Sequence, residues 1–333
     1  MELMRHQTNS AFVKLCRICA MALVLGTVIP FTAANAETVL VVTQPGKHYE
    51  EAVTGLQGEL QLELTIDTLI YSADLSVDNL SARIEASKPS LVVLLDNKSI
   101  ALFRKYQHEV DTTAQMPSIA FMASFVNDEL ASLQNATGIA YEIPLVTSAV
   151  ALRSLIEGTC NNIAVIHRER FAPFIEENKR FCARERIKLH SFSISDKTTD
   201  FEKELRSKLK AVRKHGDIDG LWILNDNVLL SQKLIQKAWL RELKRMKLPV
   251  IVGVEVLVNP EFNFGTFAVL PDHRSLGFQA AELVYTAWDN DWDVSSINVQ
   301  QPLSVYKVIN YKQANKYFKL SKDDIKGVDK ILE

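Results

Sequence analysis

Apolar positions along this chain follow two rhythms that take turns. Short apolar runs at Thr38 to Thr43, Leu64 to Ile70, Leu91 to Leu95 and Ser118 to Met122 read as strands. Between the first two, a helix beginning near His48 places Ala52, Val53, Leu56 and Leu60 along one face, the spacing of an amphipathic helix. The run Leu91 to Leu95 (LVVLL) holds no polar residue, so its strand is expected to be covered on both faces, as strands of parallel sheets are. A second series follows Cys160, with strands at Ile163 to Ile166, Lys188 to Ile194, Leu221 to Leu224 and Val250 to Val252, again separated by helical stretches. Strict alternation predicts the α/β class, and two series predict two doubly wound parallel-sheet lobes joined by a hinge.

The punctuation suggests where the chain passes between lobes. Thr137 to Pro144 joins the last strand of the first series to a helix, Leu145 to Ile156, that opens the second. Asn259-Pro260 and Pro271 set off a later strand, Thr266 to Leu270, and a helix, Ser275 to Trp288, which read together as a return into the first lobe. The division expected is therefore a leader at 1–36, an N-terminal lobe of 37–142 plus about 266–292, and a C-terminal lobe of 143–262 plus about 300–333. No repeat with a period of about 20 to 50 residues is present.

The leader has the order of a secretory signal peptide. Arg5, Lys14 and Arg17 precede an apolar run from Ile18 to Val28, and Ala34-Asn35-Ala36 supplies an A-x-A cleavage site before Glu37. The competing reading, a membrane anchor, meets an apolar run about half the roughly 20 residues a spanning helix needs. Cys16 and Cys19 precede the apolar core, so no lipid-bearing N-terminal cysteine is expected. These features predict a protein free in the periplasm, with about 300 residues remaining, enough for two domains.

Charge narrows the partners. The whole chain carries a net charge of −2, and loss of three bases with Glu2 in the leader makes the remainder about −4, which argues against a nucleic-acid surface. Cys160 and Cys182 survive cleavage into an oxidising compartment. Cys160 lies just before a strand and Cys182 late in the returning helix, so a disulfide and a pair of buried thiols both fit the sequence.

Enzymatic motifs are missing: no phosphate-binding G-x-x-x-x-G-K-[ST], no G-x-G-x-x-G and no G-x-S-x-G. His48, His108, His167, His190, His215 and His273 are scattered without a spacing that builds a zinc site, and no metal or cofactor is expected. In open α/β sheets ligands sit beyond the carboxyl ends of strands, where helix starts offer free N–H groups. That rule names Gln44 and Tyr49 after the first strand, Asp96, Asn97 and Ser99 after the third, and Ser124 and Phe125 after the fourth. In the second series it names His167, Asp226, Asn227 and Glu255. Helix capping alone accounts equally well for Asp96, Asn97, Asp226 and Asn227.

Four stretches carry a resemblance: PSLVVLLDNKSIAL at 89–102, MPSIAFMASFVNDELASLQNATGIAYEIPL at 116–145, GDIDGLWILNDNVLL at 216–230, and LPVIVGVEVLVNPEFNFGTFAVLPDHRSLGFQAAELV at 248–284. With the closing VYKVINYKQANKYF they resemble the type I periplasmic binding proteins, most closely the substrate-binding subunits of ABC transporters assigned to aromatic amino acids or left uncharacterised. The resemblance implies two lobes joined by three crossovers, which close on a small ligand and dock on an inner-membrane permease. It implies a monomer. Carried over by position, Asp226 and Asn227 would hold a ligand's amino end, Ser99 and Ser124 a carboxylate, and Phe125, Tyr49 or Tyr141 would stack on an apolar part. Lys98, Arg168 and Arg170 depart from the family's pattern, as solvated surface bases, as partners of a more anionic ligand or as marks of an altered pocket.

The function expected is capture of an amino acid-like or other small carboxylate for an ABC transporter. A sensor presenting the same closed form to a membrane signalling protein is the alternative. An exported α/β enzyme, with His167, Glu255 and Asp226 as its loose candidates, is the third.

Overall fold

The computed structural model of the protein describes residues 37–71, 75–113, 115–157, 159–320 and 325–333. The signal peptide read at 1–36 lies outside the described residues. The first series forms β1 (Thr38–Thr43), α1 (Lys47–Leu60), β2 (Thr65–Ile70), α2 (Val77–Ser87), β3 (Leu91–Leu95), α3 (Asn97–Glu109), β4 (Ser118–Phe121), α4 (Val126–Leu130) and β5 (Ala136–Gly138). The LVVLL run is buried throughout, and the period of two divides it between faces. Leu91, Val93 and Leu95 join one core with Leu56 and Leu60 of α1, while Val92 and Leu94 join another with Leu80, Ile84 and Phe103 of α2 and α3. The strand order is β2-β1-β3-β4-β5, with every pairing parallel.

The second series forms α5 (Leu145–Leu155), β6 (Asn162–Arg168), α6 (Ala172–Arg184), β7 (Lys188–Ile194), α7 (Phe201–Lys214), β8 (Gly220–Ile223), a helical stretch α8 over residues 232–246, and β9 (Val250–Val252). It continues with β10 (Phe267–Pro271), α9 (His273–Asp289), β11 (Val305–Asn310), α10 (Tyr311–Phe318) and β12 (Lys330–Leu332). The second sheet runs β12-β11-β10-β9-β8-β6-β7. Its segment β7-β6-β8-β9-β10 repeats the winding of the first sheet, a symmetry that leaves no trace as a sequence repeat. The β10–β11 pair is antiparallel, so the final strands run against the rest.

One element lies elsewhere than the sequence suggests. The strand expected to return into the first lobe, β10, pairs with β9 and β11 in the second sheet; its five residues are all buried. The return begins at α9, whose Leu276, Ala280, Leu283, Val284 and Ala287 complete the first-lobe core beside Ala52 and Leu56. A β-strand takes the sheet with a free edge to pair against, and hydrophobicity alone does not record which edge that is.

The chain crosses between the sheets three times: around 139–144, 271–273 and 298–304. Hydrogen bonds tie the crossings together. Ala140 N–H donates to Gln300 O and Gln300 N–H to Gly138 O, both at 2.9 Å, and Asp272 N–H donates to Ser304 O at 3.1 Å. Gln279 of α9 pins the third crossing through Gln301 O at 2.9 Å and Leu303 N–H at 3.1 Å.

Cys160 and Cys182 are free thiols buried in one core, so the disulfide alternative gives way to apolar packing. The Cys160 sulfur lies over Gly220 of β8, 3.5 Å from where a Cβ there would stand. Burial pushes the two thiols up to about 12 and about 11, which keeps them protonated and unreactive.

Candidate functional site

A doubly wound sheet opens a crevice where successive connections leave for opposite faces. In the first lobe that point lies between β1 and β3, and in the second between β6 and β8. Buried polar groups span both.

In the first lobe the centre is Asp96, which follows β3. Its backbone is held at φ 119° and ψ 168°, a region nearly confined to glycine that costs of order 1–3 kcal/mol. The surroundings keep it there. One carboxylate oxygen accepts from the Ser99 N–H at 2.8 Å, and the Tyr71 hydroxyl donates to the other. Tyr49 reaches the same group from α1: burial, then the Asp96 charge, raises its phenol pKa, and a hydrogen bond with Gln44 opposes the rise. Ser99 is spent as a buried cap, its hydroxyl donating to Asp96 O at 2.9 Å. Next door, the Asn97 amide donates to Ser124 O at 2.8 Å and accepts from Ser124 N–H at 2.9 Å, which locks the loops after β3 and β4 together.

In the second lobe the corresponding position is Asp226, after β8. It is 2 % exposed and charge-paired. Arg168, at the end of β6, donates from Nε at 2.8 Å and from Nη2 at 3.0 Å to its two oxygens, and Val228 N–H adds a third bond at 2.9 Å. A bidentate guanidinium makes strong, charge-assisted hydrogen bonds to a carboxylate, so an incoming ammonium would compete with it. Arg168 also donates to Asp196 at 3.2 Å and lies over the Phe171 ring. Asn227 is exposed. His167 is buried, and burial lowers its pKa, while its Nδ1 lies 2.9 Å from Arg168 O.

Strand-end loops of the two lobes touch. Phe125, in a left-handed conformation at the start of α4, stacks on Phe171 with ring centroids 4.2 Å apart and meets Phe174 edge-on at 5.6 Å. Its N–H donates to both oxygens of Glu142 at 3.0 and 3.1 Å. Beside this contact lies a cavity of about 310 Å³, lined from the first lobe by Phe125, Asn127 and Asp128 and from the second by Phe174, Glu177 and Arg180. A second cavity, of about 300 Å³, lies where α1 and α9 face Glu255, Tyr306 and Lys330. There Lys330 donates to Glu255 at 2.5 Å, and Tyr141 Oη lies 3.0 Å from His273 Nε2. At the hinge a space of about 20 Å³ is bounded by Tyr141, Glu142, Trp222, Asn225 and Gly253. The Asn225 carbonyl oxygen is buried there without a partner, and the room suffices for about one water molecule.

Gln44, Tyr49, Asp96, Asn97, Ser99 and Ser124 thus gather in the first lobe, and His167 and Asp226 in the second. Glu255 borders the cavity under α1 and α9 instead, and Tyr141 lines the hinge space while its hydroxyl meets His273. The three residues of the enzyme reading have separate partners: His167 the Arg168 carbonyl, Asp226 the Arg168 guanidinium, Glu255 the Lys330 ammonium. Sequence reading passes over Tyr71, one residue past the end of β2, and Glu142, which lies buried in the first crossing.

No family model matches the chain, and no curated protein matches it in sequence. Solved structures do. A ligand-free, open substrate-binding protein with adhesive properties from Clostridium difficile superposes with a TM-score of 0.63 at 13% identity, covering 89% of this chain and 99% of that one. A conserved domain protein from Vibrio cholerae O1 gives 0.56 at 15% identity, with 89% and 99% covered. An ABC domain in complex with L-Trp from Streptococcus pneumonia gives 0.54 at 14% identity, with 89% and 100% covered. The chain has the two-lobed type I periplasmic binding protein fold. Among the described residues no helix is long and apolar enough to cross a membrane.

Proposed function

We propose that this protein is a periplasmic solute receptor that captures a small molecule between its lobes and presents the closed form to an ABC permease in the membrane. The observation that carries the reading is the meeting of strand-end loops across the hinge: Phe125 after β4 stacks on Phe171 after β6. Closure and opening would make and break that contact, so a ligand touching both lobes shifts the population toward the closed state. A binding role rather than catalysis fits the separate engagement of His167, Asp226 and Glu255.

The ligand class follows from charge. With Arg168 already paired to Asp226, a bare ammonium at that position is disfavoured, and a small carboxylate fits better than a free amino acid. A carboxylate can share Arg168 as a donor beside Asp226 and Asp196.

The test is a thermal-shift screen, in buffer containing a chelator, against carboxylates, dicarboxylates, amino acids, nucleosides and sugars. A ligand at about 100 times its Kd adds roughly 2.7 kcal/mol, a rise of several degrees for a chain of this size. The expected outcome is a rise with carboxylates. No rise with any class would remove the receptor reading; a rise confined to sugars or nucleosides would keep the receptor and discard the carboxylate.

A further inference from the structure

His48 and Glu51 stand one turn apart on α1, on the same face of its first turn, and His273 opens α9. The two helices lie backbone to backbone, since a Cβ on Gly55 would overlap Arg274 O and one on Gly277 would overlap Ala52 O. Their first turns are therefore side by side. Glu51 Oε2 lies 3.8 Å from His48 Nδ1 and 3.7 Å from His273 Nδ1. The imidazole centroids are 4.6 Å apart with planes inclined at 58°, and one donor atom from each residue falls within 4.8 Å of the others.

We propose that His48, Glu51 and His273 bind a divalent transition ion of the zinc class through two imidazole nitrogens and one carboxylate oxygen, with a fourth position open to the neighbouring cavity. Zinc bonds of about 2.0–2.2 Å in a tetrahedron set donors roughly 3.4 Å apart, so the two gaps at Glu51 close with shifts of about half an ångström. His273 is the anchor: its side chain is 6 % exposed, and Tyr141 Oη holds Nε2 at 3.0 Å, leaving Nδ1 turned toward Glu51. An outer hydrogen bond of that kind fixes ring orientation and tautomer at metal-binding histidines. His48 and Glu51 are the more open side, which gives an ion a way in.

The opposing charges are weak or already spent. Lys47 approaches the other Glu51 oxygen at 3.7 Å from a side chain that is 81 % exposed, free to swing into solvent. Lys330 across the cavity is held by Glu255. The partial charges of the two helix starts oppose a cation, but they amount to less than three ligand bonds. Elsewhere, His190 and His215 also place their rings 4.6 Å apart. They belong to no three-residue donor group among the described residues, and so serve as an internal control.

The experiment titrates tag-free, chelator-stripped protein with Zn²⁺ by calorimetry and with Co²⁺ by visible absorption, with no solute present, so its outcome is independent of the receptor reading. One equivalent of Zn²⁺ should bind, and Co²⁺ should give the strong visible bands of tetrahedral coordination. His273→Ala should abolish those bands and weaken Zn²⁺ at least tenfold, and His48→Ala and Glu51→Gln should weaken it similarly. Tyr141→Phe should weaken Zn²⁺ by about 10–100-fold at unchanged stoichiometry. The His190→Ala/His215→Ala double variant should bind as the parent does, and circular dichroism checks that each variant is folded. No stoichiometric uptake by the parent, equal uptake by the folded His48→Ala and Glu51→Gln variants, or loss of uptake in the control pair would each overturn the site.

Discussion

Glu142 sits in the first crossing with its carboxyl out of water. Burial raises its pKa from 4.5 to about 7, although the Phe125 N–H bond pulls the other way. The sign of the pH effect follows from proton counting. Between about pH 4.5 and 7 the folded chain keeps a proton that the unfolded chain releases, so stability falls as pH rises through that window. Glu142→Gln stays neutral and can still accept from Phe125. It is expected to gain up to about 3 kcal/mol at pH 8 and almost nothing at pH 4.5, as read from urea melts at both values. An equal gain at the two pH values would show that charge burial is not the cause. Asp96 and Asp226 differ from Glu142 in having strong donors, the Tyr71 hydroxyl and the Arg168 guanidinium. Removing Arg168 alone would leave Asp226 buried and unpaired, the most damaging way to break such a pair.

At the scale of elements, the pairing of α1 with α9 decides most. These helices come from opposite ends of the chain, and α9 leaves the second sheet to complete the first-lobe core. Gly277 permits the approach, because a side chain there would run into the Ala52 carbonyl and the Leu56 N–H. Gly277→Ala is expected to destabilise by about 2 kcal/mol or more, well beyond the small gain that alanine brings to a helix interior. Thermal denaturation of the variant measures this. An unchanged or higher Tm would mean that the helices can separate freely. The helix pattern at Ala52, Leu56 and Leu60 is plain in the sequence, since amphipathic spacing encodes a buried face. What it packs on is not encoded locally, which is why β10 reads as belonging to the first lobe although it pairs in the second sheet.

For the whole molecule, Phe125 links lobe to lobe through its ring contacts with Phe171 and Phe174. Aromatic pairs contribute about 0.5–1.5 kcal/mol each, so Phe125→Ala should shift the balance between open and closed forms by roughly tenfold. Small-angle scattering of the ligand-free variant should show a larger radius of gyration than the parent. Identical curves would mean that the hinge bonds, not the ring stack, set the lobe spacing.

Alternating apolar runs and an uninterrupted LVVLL strand carried the fold class and the two lobes, and the strand-end rule marked candidate loops, because burial period and helix starts are local properties of a chain. The three dimensions decided what those residues do to one another. Asp226 is free in the sequence and paired in the fold, because Arg168 ends the neighbouring strand. His48, Glu51 and His273 have no spacing that signals a site, because two glycines far apart bring two helix starts together. Contacts between distant segments depend on which sheet edge a strand takes and on how closely two backbones can approach, and neither is written in any one stretch of residues.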